Sequence, residues 1–424
     1  MMSIQELKAL EGSNSFIRIA FQQDIPVTPR VLRLVDSTAF QRLKRIPQLG
    51  FVRNVYPSAT HTRFEHSLGV YHLALQYIRH FQTNEHFVEE ITFREIEIFI
   101  LAALLHDIGH WPYCHPMEDM YLRDIPRHEY FAERAITTGE VATLVSKDWS
   151  VSPGEVINFL KGDNDHPGQQ FLYRLLSSPI DIDKLDYLQR DSLHAGVPYG
   201  RNFDSNRLIK GLRFSSSSSK LRISNKSLTA TEMMVFARYV MFSEVYWHRT
   251  VRSATSMLQR TIYELRDDTD ILNALIESTE TEFQSILCDS DQTGIANRLF
   301  GNSRQLYKSI YETNANTDGE VYCAALRHDF TGLMTASSRL ATLLGVEPED
   351  VIIDAAPQQL EVQFNMEVID EKTGLIQALS EVSPVVKALA TDQFDHYVKR
   401  LRVFVPIEHR AISVDRKAII ESLA

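Results

Sequence analysis

Apolar residues recur along most of this chain at helical spacing. Phe64, Leu68, Tyr71, Leu75 and Ile78 fall three or four apart, so residues 64–81 read as an amphipathic helix. Thr62 and Glu65 carry the signature of a capping box at its start, which places His66 in the first turn. Residues 94–107 are apolar on nearly every side and read as a buried helix, ended by Gly109 and Pro112. A second capping-box signature, Thr229 with Glu232, opens a helical stretch to about residue 267. The texture changes at Leu212–Leu228, where a run of serines sits between Leu-Arg-Phe and Leu-Arg-Ile. This predicts two short strands joined by a solvated loop. Val351–Asp354, Leu360–Val368 and Leu401–Pro406 are strand-like. The expected architecture is mainly α: a helical domain over 1–340 with its core at about 40–265, a small strand pair, and a small α+β region at 341–424. No internal repeat breaks this reading.

Composition narrows the class. With 424 residues the chain exceeds one simple core, which favours a large domain with an appended smaller one. The net charge of −11 argues against bulk electrostatic binding to duplex DNA, so nucleic acid is not indicated as a partner. A nucleotide remains open as substrate, because a pocket can be locally basic on an acidic protein. Cys114, Cys288 and Cys323 are widely spaced and odd in number, which fits a reducing compartment and no disulfide framework. Cys114 sits among histidines and reads either as a metal ligand or, more ordinarily, as a small packed residue. The first residues lack a basic region followed by an apolar stretch, and no apolar run is long enough for a bilayer. The expectation is a cytoplasmic protein with no signal peptide and no membrane partner.

The chemistry concentrates at residues 104–110, Leu-Leu-His-Asp-Ile-Gly-His, where an apolar helix ends in two imidazoles and a carboxylate. Such groups at the edge of a core are costly unless paired or bound to a metal. His66, His106, Asp107 and Asp183 form a mixed nitrogen and oxygen set suited to a divalent metal such as iron, manganese or zinc. The inference rests on the set, since a lone helical histidine is usually structural.

The ordered series His66, His106-Asp107, Asp183 matches the H…HD…D signature of the HD-domain phosphohydrolases. Residues 40–69, the segment His106–His115, the pair His128-Glu129 and the stretch beginning Asp181-Ile-Asp-Lys extend the likeness. Together they resemble the deoxynucleoside triphosphate triphosphohydrolases, in the branch of the animal SAM-and-HD-domain protein, with no SAM domain expected ahead of them. The match is close over about residues 20–260 and looser beyond.

The resemblance implies an HD helical core and hydrolysis of a dNTP to a deoxynucleoside and inorganic triphosphate. It implies His115 as general acid, with His110, His128 and Glu129 orienting it and the phosphates, and Glu118 as an acidic partner. Arg63, Lys184 and Tyr187 would meet the phosphates or sugar, Asp191 and Gln48 the 3′-hydroxyl, and Leu49 the base. A second Mg or Mn would accompany the substrate. Bland readings stay open beside these. His110 could cap the helix end through its dipole, Glu129 could be solvated, and Lys184–Asp191 could be an ordinary exposed helix face.

Two departures matter. Where the animal relative has an arginine and a sugar-stacking tyrosine, an ungapped match offers Glu244 and Arg252, and a one-residue shift offers Tyr246 or Arg249. Rejection of ribonucleotides is therefore not assured. Asp36 and Gln41 match a guanine-nucleotide effector site, but Lys44 stands in place of its arginine and lacks the bidentate fork, so activation should be weaker, different or absent. Arg42, Lys44 and Arg45 read equally as a solvated helix face. Relatives assemble into dimers or tetramers, so a homo-oligomer is expected. The alternatives are an HD phosphohydrolase acting on another phosphoester, such as a nucleoside monophosphate or cyclic nucleotide, and a nucleotide-binding protein whose metal serves stability.

Overall fold

A computed structural model describes residues 4–13, 15–164, 166–215, 221–355, 366–389 and 397–424. The architecture is mainly helical, as the periodicity predicts, with three small sheets among the described residues. Its centre is the antiparallel pair Arg63–Phe81 and Phe93–Leu105. The second of these is buried at every position from Glu95 to Leu105, which explains why its sequence shows no polar face. It starts on a capping box formed by Thr92 and Glu95. It ends two residues short of the expected limit, so that His106 and Asp107 sit on the turn beyond it.

Neither expected capping box forms. Thr62 holds the N-cap position of its helix without a side-chain bond, and Glu65 turns instead toward His194 and Arg190. Thr229 lies inside the helix Leu228–Met241, and Glu232 accepts a hydrogen bond from Ser383 Oγ. In both cases a carboxylate finds a charged or hydroxyl partner in another element, which competes with a local backbone amide. The helical stretch to residue 267 is also interrupted. A π-helical turn at Phe242–Tyr246 and the residues Trp247 and His248 separate it from a new helix, Arg249–Glu264. The break lets the Tyr246 hydroxyl reach Asp191.

Two glycines allow the helices around the site to close in. A Cβ on Gly69 would stand 2.0 Å from Asp186 Oδ1, so only glycine lets helix Ile182–His194 lie this close to helix Arg63–Phe81. A Cβ on Gly109 would meet the His128 carbonyl at 2.3 Å, so glycine there admits helix His128–Thr137 against the His106–His110 turn.

The predicted pair Leu212–Arg213 and Leu221–Ser224 forms, antiparallel; most of the serine run lies outside the described residues. Leu221–Ser224 then pairs in parallel with Met366–Ile369, the described end of the predicted strand Leu360–Val368. Ile352–Asp354 and Leu401–Val405 form as expected and join Lys308–Thr313, with Leu401–Val405 in the middle. The strands of 341–424 thus enter two sheets that begin before residue 340. Among the described residues no helix is long and apolar enough to cross a membrane. The three cysteines are unpaired, with Cys114 buried.

Candidate metal centre and adjoining imidazole cluster

His66 comes from the first turn of one helix, His106 and Asp107 from the turn closing the next, and Asp183 from the first turn of Ile182–His194. Their donor atoms converge. His66 Nε2 is 3.3 Å from His106 Nε2, 3.0 Å from Asp183 Oδ1 and 3.8 Å from Asp107 Oδ2. His106 Nε2 is 3.5 Å from Asp107 Oδ1 and 3.9 Å from Asp183 Oδ1.

The far side of each ring fixes its tautomer. His66 Nδ1 donates to Asp186 Oδ2 at 2.8 Å, and Asp186 is held in turn by Arg190. His106 Nδ1 faces the Ala103 carbonyl at 3.0 Å, which only accepts, so this nitrogen carries the hydrogen. With both rings neutral, as metal ligation requires, the two Nε2 atoms present lone pairs toward two carboxylates. Acceptors gathered on acceptors repel unless a cation stands between them. The same demand shows in the His66 imidazole. Although burial disfavours its charged form, Asp183 and Asp186 raise its pKa to about 10. The chemistry of this donor set fits a divalent ion with nitrogen and oxygen preference.

Beside the centre, Arg63 donates to Asp107 Oδ2 at 2.7 Å. Burial alone would raise the Asp107 carboxyl, but Arg63 and the surrounding imidazoles hold it well below the ordinary range. His110 Nδ1 sits 3.2 Å from the Asp107 carbonyl, and burial together with Arg63 pushes its pKa far down, so this ring is neutral. Arg42 binds the His110 carbonyl and those of Ile276 and Ser278, so it is a structural clamp, while Lys44 and Arg45 remain exposed. Glu118 ties the next two rings together. It accepts from the His128 backbone at 2.6 Å and faces His128 Nδ1 at 2.9 Å and His115 Nδ1 at 3.3 Å. Despite burial, Glu118 raises the His128 pKa.

The metal ligands, Arg63 and the three imidazoles beside them line one cavity of 380 Å³, within the size range of small-ligand sites. The structure brings His66, His106, Asp107, Asp183, His110, His115, His128, Glu129, Arg63, Gln48 and Tyr187 to its wall. Gln48 Oε1 and Arg63 Nε are buried without partners among the described residues, so both are available to a ligand.

Other candidates lie elsewhere. Lys184 Nζ pairs with Asp181 at 2.7 Å. Both oxygens of Asp191 are taken, by His61 Nε2 at 2.8 Å and the Tyr246 hydroxyl at 2.7 Å. Leu49 packs half-buried against the core. Arg252 is buried in a pair with Asp354, Arg249 is exposed, and Glu244 is exposed with its carbonyl accepting from Tyr56, so none supplies a contact at the cavity. Asp36 is exposed at a helix end, Gln41 Nε2 donates to the Val35 carbonyl, and Lys44 Nζ lies 4.5 Å above the Phe64 ring.

Sequence reasoning missed Asp186 and Arg190, whose spacing from Asp183 along one helix was the available signal. It also missed Lys161, Tyr173 and Ser177 on the opposite wall, which carry no motif.

A helical scaffold that presents H…HD…D ligands defines a class, and comparison with known proteins agrees with it. The HD domain model matches residues 63–160 and the HD associated region matches residues 203–423, more than half the chain. The chain belongs to the HD-domain phosphohydrolases. An HD domain-containing protein of Acanthamoeba polyphaga mimivirus is 30% identical over 76% of this chain and 77% of its own length. The deoxynucleoside triphosphate triphosphohydrolase SAMHD1 of Mus musculus is 34% identical over 44% of this chain, but the match spans only 32% of that protein. The crystal structure of a hypothetical protein from Aquifex aeolicus shares the fold with a TM-score of 0.73 and 27% identity, covering 97% of this chain and 100% of that one.

Proposed function

We propose that this chain hydrolyses deoxynucleoside triphosphates to a deoxynucleoside and inorganic triphosphate. The observation that carries the reading is the juxtaposition of an acceptor-only ligand set with a Glu118-bridged pair of imidazoles in one cavity. The likeness to SAMHD1, named as a deoxynucleoside triphosphate triphosphohydrolase, supports the substrate class.

His66, His106 and Asp107, whose donor atoms lie within 4.8 Å of one another, would hold the divalent ion together with Asp183, whose Oδ1 is 3.0 Å from His66 Nε2. Such an ion neutralises phosphoryl oxygens and acidifies water. Arg63, braced by Asp107, presents its guanidinium to the phosphates. Water oxygen adds to the α-phosphorus, the bond to the 5′-oxygen breaks, and that oxygen takes a proton. His115 is the donor, because it is the most accessible ring of the cluster and lies beside Glu118. His128 shares Glu118 and keeps the local charge positive. His110 and Glu129 orient this pair, Tyr187 flanks the sugar, and Gln48 offers its free Oε1 to a sugar hydroxyl. A second Mg or Mn travels with the triphosphate, and the active form is a homo-oligomer.

The positions of Arg252 and Glu244 favour one alternative, action on another nucleotide phosphoester, because neither crowds the sugar. One experiment separates the readings. The metal-loaded protein is given each dNTP and NTP, and products are resolved by ion exchange. The expected product is tripolyphosphate, lost in His106→Ala and Asp183→Ala. Monophosphate with pyrophosphate would overturn the reaction class.

A further inference from the structure

Next to the metal centre stands a second group of donors. One ring nitrogen each of His110, His115 and His128, together with Cys114 Sγ, lie within 4.8 Å of one another. We propose that these four side chains form a separate site for a soft divalent cation such as Zn²⁺.

Three observations argue for it. First, the Nδ1 atoms face acceptors already: His110 the Asp107 carbonyl, and both His115 and His128 the Glu118 carboxylate. With Nδ1 so engaged, the neutral form of each ring keeps its opposite nitrogen free to bind a cation, the arrangement that also serves the His66 and His106 rings. Second, His110 Nε2 is fully buried and has no partner among the described residues. A buried polar nitrogen without a partner is costly, and a cation relieves it. Third, the donor set is three nitrogens and one sulfur, which selects zinc, cobalt or cadmium over magnesium or calcium. Tetrahedral zinc holds such ligands about 3.4 Å apart, so modest side-chain shifts close the cluster. His115, with 58% of its side chain accessible, gives an entry route from the cavity.

Filling the site forms one metal–sulfur and three metal–nitrogen bonds, and releases to solvent the Cys114 thiol proton together with the proton of each ring that was an imidazolium. It also occupies His115 and His128. Resting on the proposed hydrolysis, the consequence is that Zn²⁺ switches the enzyme off while the other ion stays in place.

The test uses metal-stripped, full-length protein titrated with Co²⁺. A bound thiolate gives a charge-transfer band in the near ultraviolet, which a nitrogen and oxygen site does not. The band is expected in the wild type and in His106→Ala, absent in Cys114→Ser, and weakened about tenfold or more in cobalt affinity by the exposed-site variant His115→Gln. No band in the wild type at two equivalents, or a band retained in Cys114→Ser, overturns the site. In turnover assays, the zinc concentration for half-inhibition should rise at least tenfold in Cys114→Ser, and an unchanged value overturns the switch. The spectral arm stands even if no dNTP is hydrolysed, so failure of the substrate reading and failure of this site are distinguishable.

Discussion

Glu118 is the residue on which the imidazole cluster turns. It is largely buried, which by itself would favour its neutral acid, yet hydrogen bonds from His115 and His128 hold it far below the ordinary carboxylate range. Its negative charge in turn raises His128. The coupling gives a prediction with a definite sign. Glu118→Gln keeps an acceptor but removes the charge, so the His128 pKa falls and less imidazolium remains at neutral pH. The basic limb of the kcat/KM profile should move to lower pH, with roughly a tenfold or greater loss at pH 7.5. A superimposable profile would show that Glu118 only packs. The residue identities were legible in sequence because proton transfer needs histidines. That one carboxylate bridges two rings was not, since His128 lies ten residues away on another helix.

Among the elements, the first helices are held to the core by one cation. Arg30, from helix Pro29–Val35, makes two bonds to Glu6 on Gln5–Gly12 and one to Glu97 on Phe93–Leu105, and its guanidinium lies 3.6 Å over Trp149. All three charged groups are buried. Arg30→Met leaves two carboxylates inside without a counter-charge and should cost about 3–5 kcal/mol in urea unfolding. A loss below about 1 kcal/mol would mean that water reaches the pair. Burial opposes ionisation of Glu97, but Ser150 and Arg30 prevail and lower its pKa. Its stabilising contribution is therefore complete above the unfolded value, about 4.3, and is lost as pH falls through the folded one. Periodicity revealed the helices themselves, because an apolar stripe is a local property. It could not show that Glu65 and Glu232 would leave their expected caps, since the partners Arg190, His194 and Ser383 are remote in sequence.

For the molecule as a whole, the C-terminal strands are structural partners of the helical part. Leu401–Val405 is central in its sheet and buried at all five positions, between Lys308–Thr313 and Ile352–Asp354. Arg252 reaches from helix Arg249–Glu264 to Asp354 at 2.5 Å, a buried pair across the same junction. A chain ended at residue 340 loses the strand that satisfies the backbone of Lys308–Thr313 and leaves Arg252 buried without its carboxylate. It should aggregate or sediment heterogeneously, whereas the full chain gives a single species with a cooperative melt. A truncated chain with a cooperative melt would support an autonomous domain over 1–340.

What the sequence determined by itself was the chemistry and the local conformation. Metal ligation and proton transfer demand particular side chains in a recognisable order, and helices announce themselves by spacing. Tertiary structure decided direction and partnership. Lys184 turns to Asp181, Asp191 is occupied by His61 and Tyr246, and Arg252 faces Asp354 instead of the cavity. A charged side chain goes to the strongest available counter-group, and those groups are assembled only when distant segments pack.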